Sequence, residues 1–185
     1  MPISKIDTPA LKADAVDNTI LDLASNYAFT GTVSGAGGGK IGQVLNTVWS
    51  NNNSTSSSTY SATSGTLAIT PSATNSKILV IVNACSIYCA NSDTNIDLGI
   101  SRSGGSSGDG TILEFEGTAG YDQDNTGHSG GGSTISYLDS PSVTSAVTYG
   151  LNFRSSNNSH AVYINHWVRG DVRPRSAITL MEVLN

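Results

Sequence analysis

Beyond the glycine run at residues 35–39, the apolar residues of this chain fall into short runs divided by Ser, Thr, Asn and Gly. Such punctuation points to an all-β domain, because each run is the length of a strand and each break carries turn chemistry. Several runs alternate. Val147, Tyr149, Leu151 and Phe153 share one face of a strand at 146–154, while Thr148, Gly150 and Asn152 share the other. In the same way Val162, Ile164 and His166 oppose Tyr163, Asn165 and Trp167 along 161–167. The unbroken run Ile78-Leu79-Val80-Ile81-Val82 reads instead as a strand covered on both faces.

Further strands are expected at 43–49, 66–70, 95–101, 111–115, 134–138 and 177–183. Pro71 stops one of them, and the Ser-Ala-Thr-Asn-Ser cluster at 72–76 is a turn. The polar stretch 50–58 is a loop or an edge, and 155–159 is the loop of a hairpin. About eight or nine short strands with turn signals between them predict a β-sandwich of the jelly-roll kind.

Before the glycine run the composition changes. Residues 1–39 form an extended, partly helical arm that ends in a Gly-rich hinge, and 40–185 form the head. Pro9 suits a first helical turn, but Leu11, Ala15, Asn18 and Asp22 make no continuous apolar face. Ile20, Leu21, Leu23, Tyr27 and Phe29 are too many apolar side chains for a solvated tail and too few for a core, so they are expected to dock on a partner.

Bulk composition narrows the partners. With 9 Lys and Arg against 14 Asp and Glu, a formal net charge of -5, the chain lacks the basic footprint of a nucleic-acid binder. No window reaches the roughly 20 apolar residues of a membrane span, and the start resembles no signal peptide, so a soluble chain made in the cytosol is expected. Cys85 and Cys89, four apart in one apolar run, are expected to be buried free thiols.

Chemical motifs are weak. Glu114 and Glu116 stand two apart on an expected strand and so share a face, but ordinary solvated carboxylates do the same. Residues 122–127 begin like a calcium loop, yet Ser133 occupies the place of the bidentate Glu. His160 and His166 are too far apart along a strand to share a metal. Trp49 and Trp167 read as core or interface residues. No catalytic residue, cofactor or metal site is therefore expected. Two polar insertions, 102–110 and 117–133, would lie at the ends of a sandwich, where binding surfaces are built. The second supplies the candidate ligand contacts Tyr121, Asp122, Asp124 and His128.

One resemblance covers both ends and the centre of the chain. The segment Ile6-Asp7-Thr8-Pro9-Ala10-Leu11-Lys12-Ala13-Asp14-Ala15-Val16-Asp17, the later Phe29-Thr30-Gly31-Thr32-Val33-Ser34-Gly35, Ser76-Lys77-Ile78-Leu79-Val80, and the ending Ser176-Ala177-Ile178-Thr179-Leu180-Met181-Glu182-Val183 carry it. Together they resemble fibre and surface proteins of tailed bacteriophages, of the marine phage and cyanophage type. That resemblance implies a homotrimeric virion protein, attached to other virion subunits through residues 1–39, with an outward β-domain that touches a host glycan or protein. Its leading expectation is a tail fibre or receptor-binding tip. A capsid decoration or cement protein is the alternative, and a glycan depolymerase a more remote one.

Overall fold

The computed structural model describes residues 40–91, 94–119, 128–129, 131–166 and 173–184, with no side-chain description at 116–119 and 128–129. The chain divides between Gly38 and Gly39. The expected arm, with its helical turn and the docking residues Ile20, Leu21, Leu23, Tyr27 and Phe29, lies outside the described residues.

The described residues are all-β. In chain order the strands are β1 (Ile41–Trp49), β2 (Asn53–Thr55), β3 (Ser61–Ile69), β4 (Lys77–Ala84), β5 (Tyr88–Cys89), β6 (Ile96–Ser103), β7 (Gly110–Ala119), β8 (His128–Ser129), β9 (Ser133–Asp139), β10 (Val147–Ser155), β11 (Val162–Ile164) and β12 (Ser176–Val183). Eight of them build two four-stranded antiparallel sheets, β1-β12-β4-β9 and β3-β10-β6-β7, and the short ones build a third, β2-β11-β5-β8.

The pairing has a simple logic. Among the eight long strands the first pairs with the last (β1 with β12), the second with the seventh (β3 with β10), the third with the sixth (β4 with β9) and the fourth with the fifth (β6 with β7). This is one long hairpin. It is then folded across itself, and the joins β12 to β4 and β10 to β6 complete the two sheets.

Alternation supplies the core. Ile78, Val80 and Val82 of β4 and Ile178 and Leu180 of β12 are fully buried, as are Ile96, Leu98 and Ile100 of β6 and Val147, Tyr149 and Leu151 of β10. Each such aliphatic side chain stabilises the fold by about 1.5–3 kcal/mol. A slip of one residue would turn Thr148 and Asn152 inward, so the same pattern also sets register. Gly65 joins the two sheets at their edges, since a Cβ there would stand 2.3 Å from the Trp49 ring. Trp49 is accordingly buried, as its sequence context predicts.

Several expectations need correction. β3 starts at Ser61, well before the expected 66, because inward Thr63 and Gly65 carry the strand back through 61–65, where Ala62 is the one apolar residue. The apolar run that holds Cys85 and Cys89 is divided between two strands: Ser86 takes a left-handed φ of 47° and sends the chain from β4 into β5. The segment 155–159 closes no hairpin, since β10 pairs with β3 and β6 whereas β11 pairs with β2 and β5. Finally, β4 is covered on one face only; Leu79 and Ile81 remain half-exposed.

At the end of the sandwich where β6 leads into β7, buried charges fix the loops. Arg102 donates through Nη1 to both carboxylate oxygens of Asp139 at 2.9 Å, and the Tyr149 hydroxyl donates to the same carboxylate at 2.6 Å. Burial, reinforced by that carboxylate, pushes the Tyr149 phenol well above its ordinary range. Arg102 also donates through Nε to Asp109 at 3.3 Å and through Nη2 to the Ser107 carbonyl. Asp109 in turn accepts from the amides of Gly104 and Gly105, which hold its carboxyl below the usual value. The expected contact loop 102–110 is thus tied to the core.

Glu182 works at the same end. It is 1% exposed and accepts from the Ser72 amide and hydroxyl, both at 2.6 Å, and from Gln43 Nε2 at 2.9 Å. Burial alone would raise its pKa, but the Ser72 and Gln43 donors outweigh it and hold the carboxyl at about 2. The turn after Pro71 is thereby anchored to β12.

Candidate ligand-binding surface

The opposite end carries the third sheet. Here β1 and β4 finish, β12 begins, and Asn165 binds these segments together. Asn165 is fully buried; its Nδ2 donates to the carbonyls of Trp49 at 3.2 Å and Asn51 at 3.3 Å, and its Oδ1 accepts from Ser176 Oγ at 2.8 Å. Ser176 Oγ accepts from the Cys85 amide at 2.9 Å. Two backbone bonds, Asn165 N–H to Cys85 and His166 N–H to Ser86, lock β11 against the link between β4 and β5. The Ser86 hydroxyl returns a bond to the His166 carbonyl at 2.7 Å.

Left-handed residues stand on both sides of this lock, Ser86 at φ 47° and Asn165 at φ 58°. Non-glycine residues adopt such values only where surrounding bonds hold them. Their effect is to aim side chains. Tyr163 pairs with Tyr88 across β11 and β5, and both rings point away from the buried Val162, Ile164 and Cys89. Simple alternation would put His166 on the face of Val162 and Ile164, but the left-handed Asn165 reverses the phase, and His166 joins the tyrosines.

The three rings form one cluster. Tyr88 and His166 stack at 4.2 Å between centroids with planes 10° apart. Tyr163 leans on His166 at 4.8 Å and on Tyr88 at 5.6 Å, tilted by 53° and 50°. Each aromatic pair contributes about 0.5–1.5 kcal/mol beyond its buried area. Burial lowers the His166 pKa, which favours the neutral ring, and its Nδ1 is buried with no hydrogen-bond partner among the described residues. All three rings are half-buried.

Such a surface suits a ligand with an apolar face and a polar rim. The electron-rich ring faces attract C–H groups, and the phenol hydroxyls donate and accept at the margin. A pyranose ring has this division between C–H face and hydroxyl edge. Tyrosine adds rigid contact area at little entropic loss.

Of the sequence candidates, Tyr121, Asp122 and Asp124 lie outside the described residues. His128 lies in β8 opposite Cys89, one strand from Tyr88, so the segment carrying the candidates enters the third sheet next to β5. Tyr88, Tyr163 and the turn of His166 toward them were missed. Tyr88 was hidden at the end of an apolar run, and Tyr163 looked like any outward strand residue.

The remaining candidates lie apart from this cluster or outside the described residues. Glu114 is exposed on β7 opposite Gly99, and the ladder loses register beyond Phe115. Cys89 is buried as expected but Cys85 is only half-buried, neither is in a disulfide, and burial pushes the Cys89 thiol up to about 11, which disfavours its thiolate. His160 bonds through Nδ1 to Thr94 Oγ1 at 2.8 Å. Trp167 lies outside the described residues.

Among the described residues, no group of three or more His, Cys, Asp or Glu side chains is placed to hold a metal ion, and no helix is long and apolar enough to cross a membrane. No family model matches the chain, and no match is found among the curated proteins.

Proposed function

We propose that this chain is a non-enzymatic surface protein of a tailed-bacteriophage virion, a homotrimeric fibre or receptor-binding tip that attaches through residues 1–39 and binds host-surface glycan through its head. The observation that carries the reading is the Tyr88–Tyr163–His166 cluster, presented at one end of the sandwich by a small sheet of its own. The strand order supports a jelly roll, because two interleaved Greek keys of eight strands pair first with last and fourth with fifth.

Binding without catalysis fits the carboxylates. Asp139, Asp109, Asp97 and Glu182 are engaged by Arg102, Arg154, Ser72 and Gln43, which leaves them as structural groups with no enclosed acid–base pair. Three copies in one particle would also raise avidity by about a hundredfold or more without a stronger single site.

The test is competition and titration. The purified chain should block adsorption of the phage and bind host envelope polysaccharide, and Tyr88→Ala with Tyr163→Ala should abolish both while the protein stays folded. Unchanged adsorption at saturating protein would sink the receptor-binding reading. Immunogold labelling of intact particles distinguishes the tail from the capsid as the site of attachment.

A further inference from the structure

The outer faces of the two large sheets differ in kind. On the central pair β10–β6 of the sheet β3-β10-β6-β7 the outward side chains are polar or absent: Asp97, Gly99, Ser101, Gly150, Asn152 and Arg154. On β1-β12-β4-β9 a row of apolar side chains crosses the whole sheet, Val44 beside Met181, Met181 beside Leu79, and Leu79 beside Leu138. Val44 and Val48 are each 54% exposed and Leu138 46%. Ile81 and Ala177 extend the patch along the strands.

Two pairs of polar side chains on this face already bond to each other. Asn46 Nδ2 donates to Thr179 Oγ1 at 2.8 Å, and Thr134 Oγ1 donates to Asn83 Oδ1 at 2.7 Å. Burying them would therefore strand few hydrogen-bonding groups. Lys77, opposite Val183, is the charged residue of these strands on that face and stands at its end. Away from that end the face carries no like charge to repel a copy of itself.

We infer that this face is where a second copy of the chain packs. The seven paired positions from Ile78 to Ala84, across four strands, span about 19 by 23 Å, roughly 440 Å² of flat projection per copy. Side-chain relief adds to that, and the smallest specific interfaces need only about 500 Å² per partner. The pattern of β4 points the same way, since Ile78-Leu79-Val80-Ile81-Val82 is written like a strand covered on both faces, and the head covers only one. The inference rests on the homo-oligomeric part of the proposed function in taking the partner to be another copy.

Sedimentation of the full chain tests it. The wild-type chain should assemble, and Val44→Glu with Leu138→Glu should raise the dissociation constant by about 100-fold or more, because two apolar anchors are lost and two charges would be buried without partners. Both positions are half-exposed on edge strands, so circular dichroism should report an intact fold, and Leu138→Lys alone serves as a second variant. Thr66→Glu, exposed on the other large sheet, should leave assembly unchanged. A wild-type chain that stays monomeric overturns the inference together with the oligomeric reading. Variants that remain assembled overturn the inference alone, and place the contact between copies elsewhere.

Discussion

At the end of the sandwich that holds Arg102 and Glu182, loops are fixed by charges taken out of water, each against a named partner. At the end that holds Tyr88 and His166, neutral groups do the same work: Asn165, Ser176 and Ser86 bind three chain segments through amide, hydroxyl and carbonyl bonds. The difference has consequences for function. The Glu182 carboxylate makes the first end dependent on pH, and the buried Arg102–Asp139 pair makes it intolerant of truncation. The neutral lock holds the second end, and its aromatic rings, through amide, hydroxyl and carbonyl bonds instead of a buried ion pair.

The largest effect should come from the charged end. Arg102→Ala leaves Asp139 buried without its cation and should lower stability by about 3–5 kcal/mol, measured by urea unfolding. Glycan binding by the fraction that remains folded should be unchanged; a loss of binding at constant fold would show that the two ends are coupled.

Glu182→Gln comes next. Because the folded carboxyl is held at about 2, below its ordinary 4.5, its contribution is fully present above about pH 4.5 and is lost as pH falls through 2. The variant should be less stable near neutrality by about 2–3 kcal/mol and should show a flatter stability profile between those limits. A wild-type profile that is flat across that window would remove Glu182 as an acid-sensitive anchor.

Changes at the aromatic end should separate binding from stability. Tyr163→Ala should weaken glycan binding by about 2 kcal/mol, close to a thirtyfold loss, since it removes one of the two tyrosine rings of the cluster. Unfolding should move by only about 1 kcal/mol, because the ring is half-buried. Equal losses in the two measurements would make the cluster a packing feature. The smallest effect belongs to His166. Its folded pKa is depressed by burial, so stability is full above the ordinary histidine value and declines as pH falls and the ring must charge. His166→Phe should remove that decline while keeping the stack on Tyr88.

Strand periodicity made most of the architecture legible. The alternation of 147–153 and the apolar core of 78–82 and 178–180 mark their strands without tertiary information, because burial on one face demands period two. β3 was only half visible, since Thr63 and Gly65 fill inward positions that composition assigns to loops. Close approach of Trp49 is what makes glycine necessary there, and that approach is a fact of tertiary packing.

By itself, then, the sequence determined an all-β head, the phase of its long strands and the residues that meet in the core, because these follow from local alternation. Only the tertiary structure decided which strands pair, why 102–110 is an anchored loop, and how Tyr88, Tyr163 and His166 come together. Two left-handed residues, Ser86 and Asn165, redirect the chain at positions where no glycine announces it. The bonds that hold them there come from segments up to 116 positions away in the chain, as between Asn165 and Trp49.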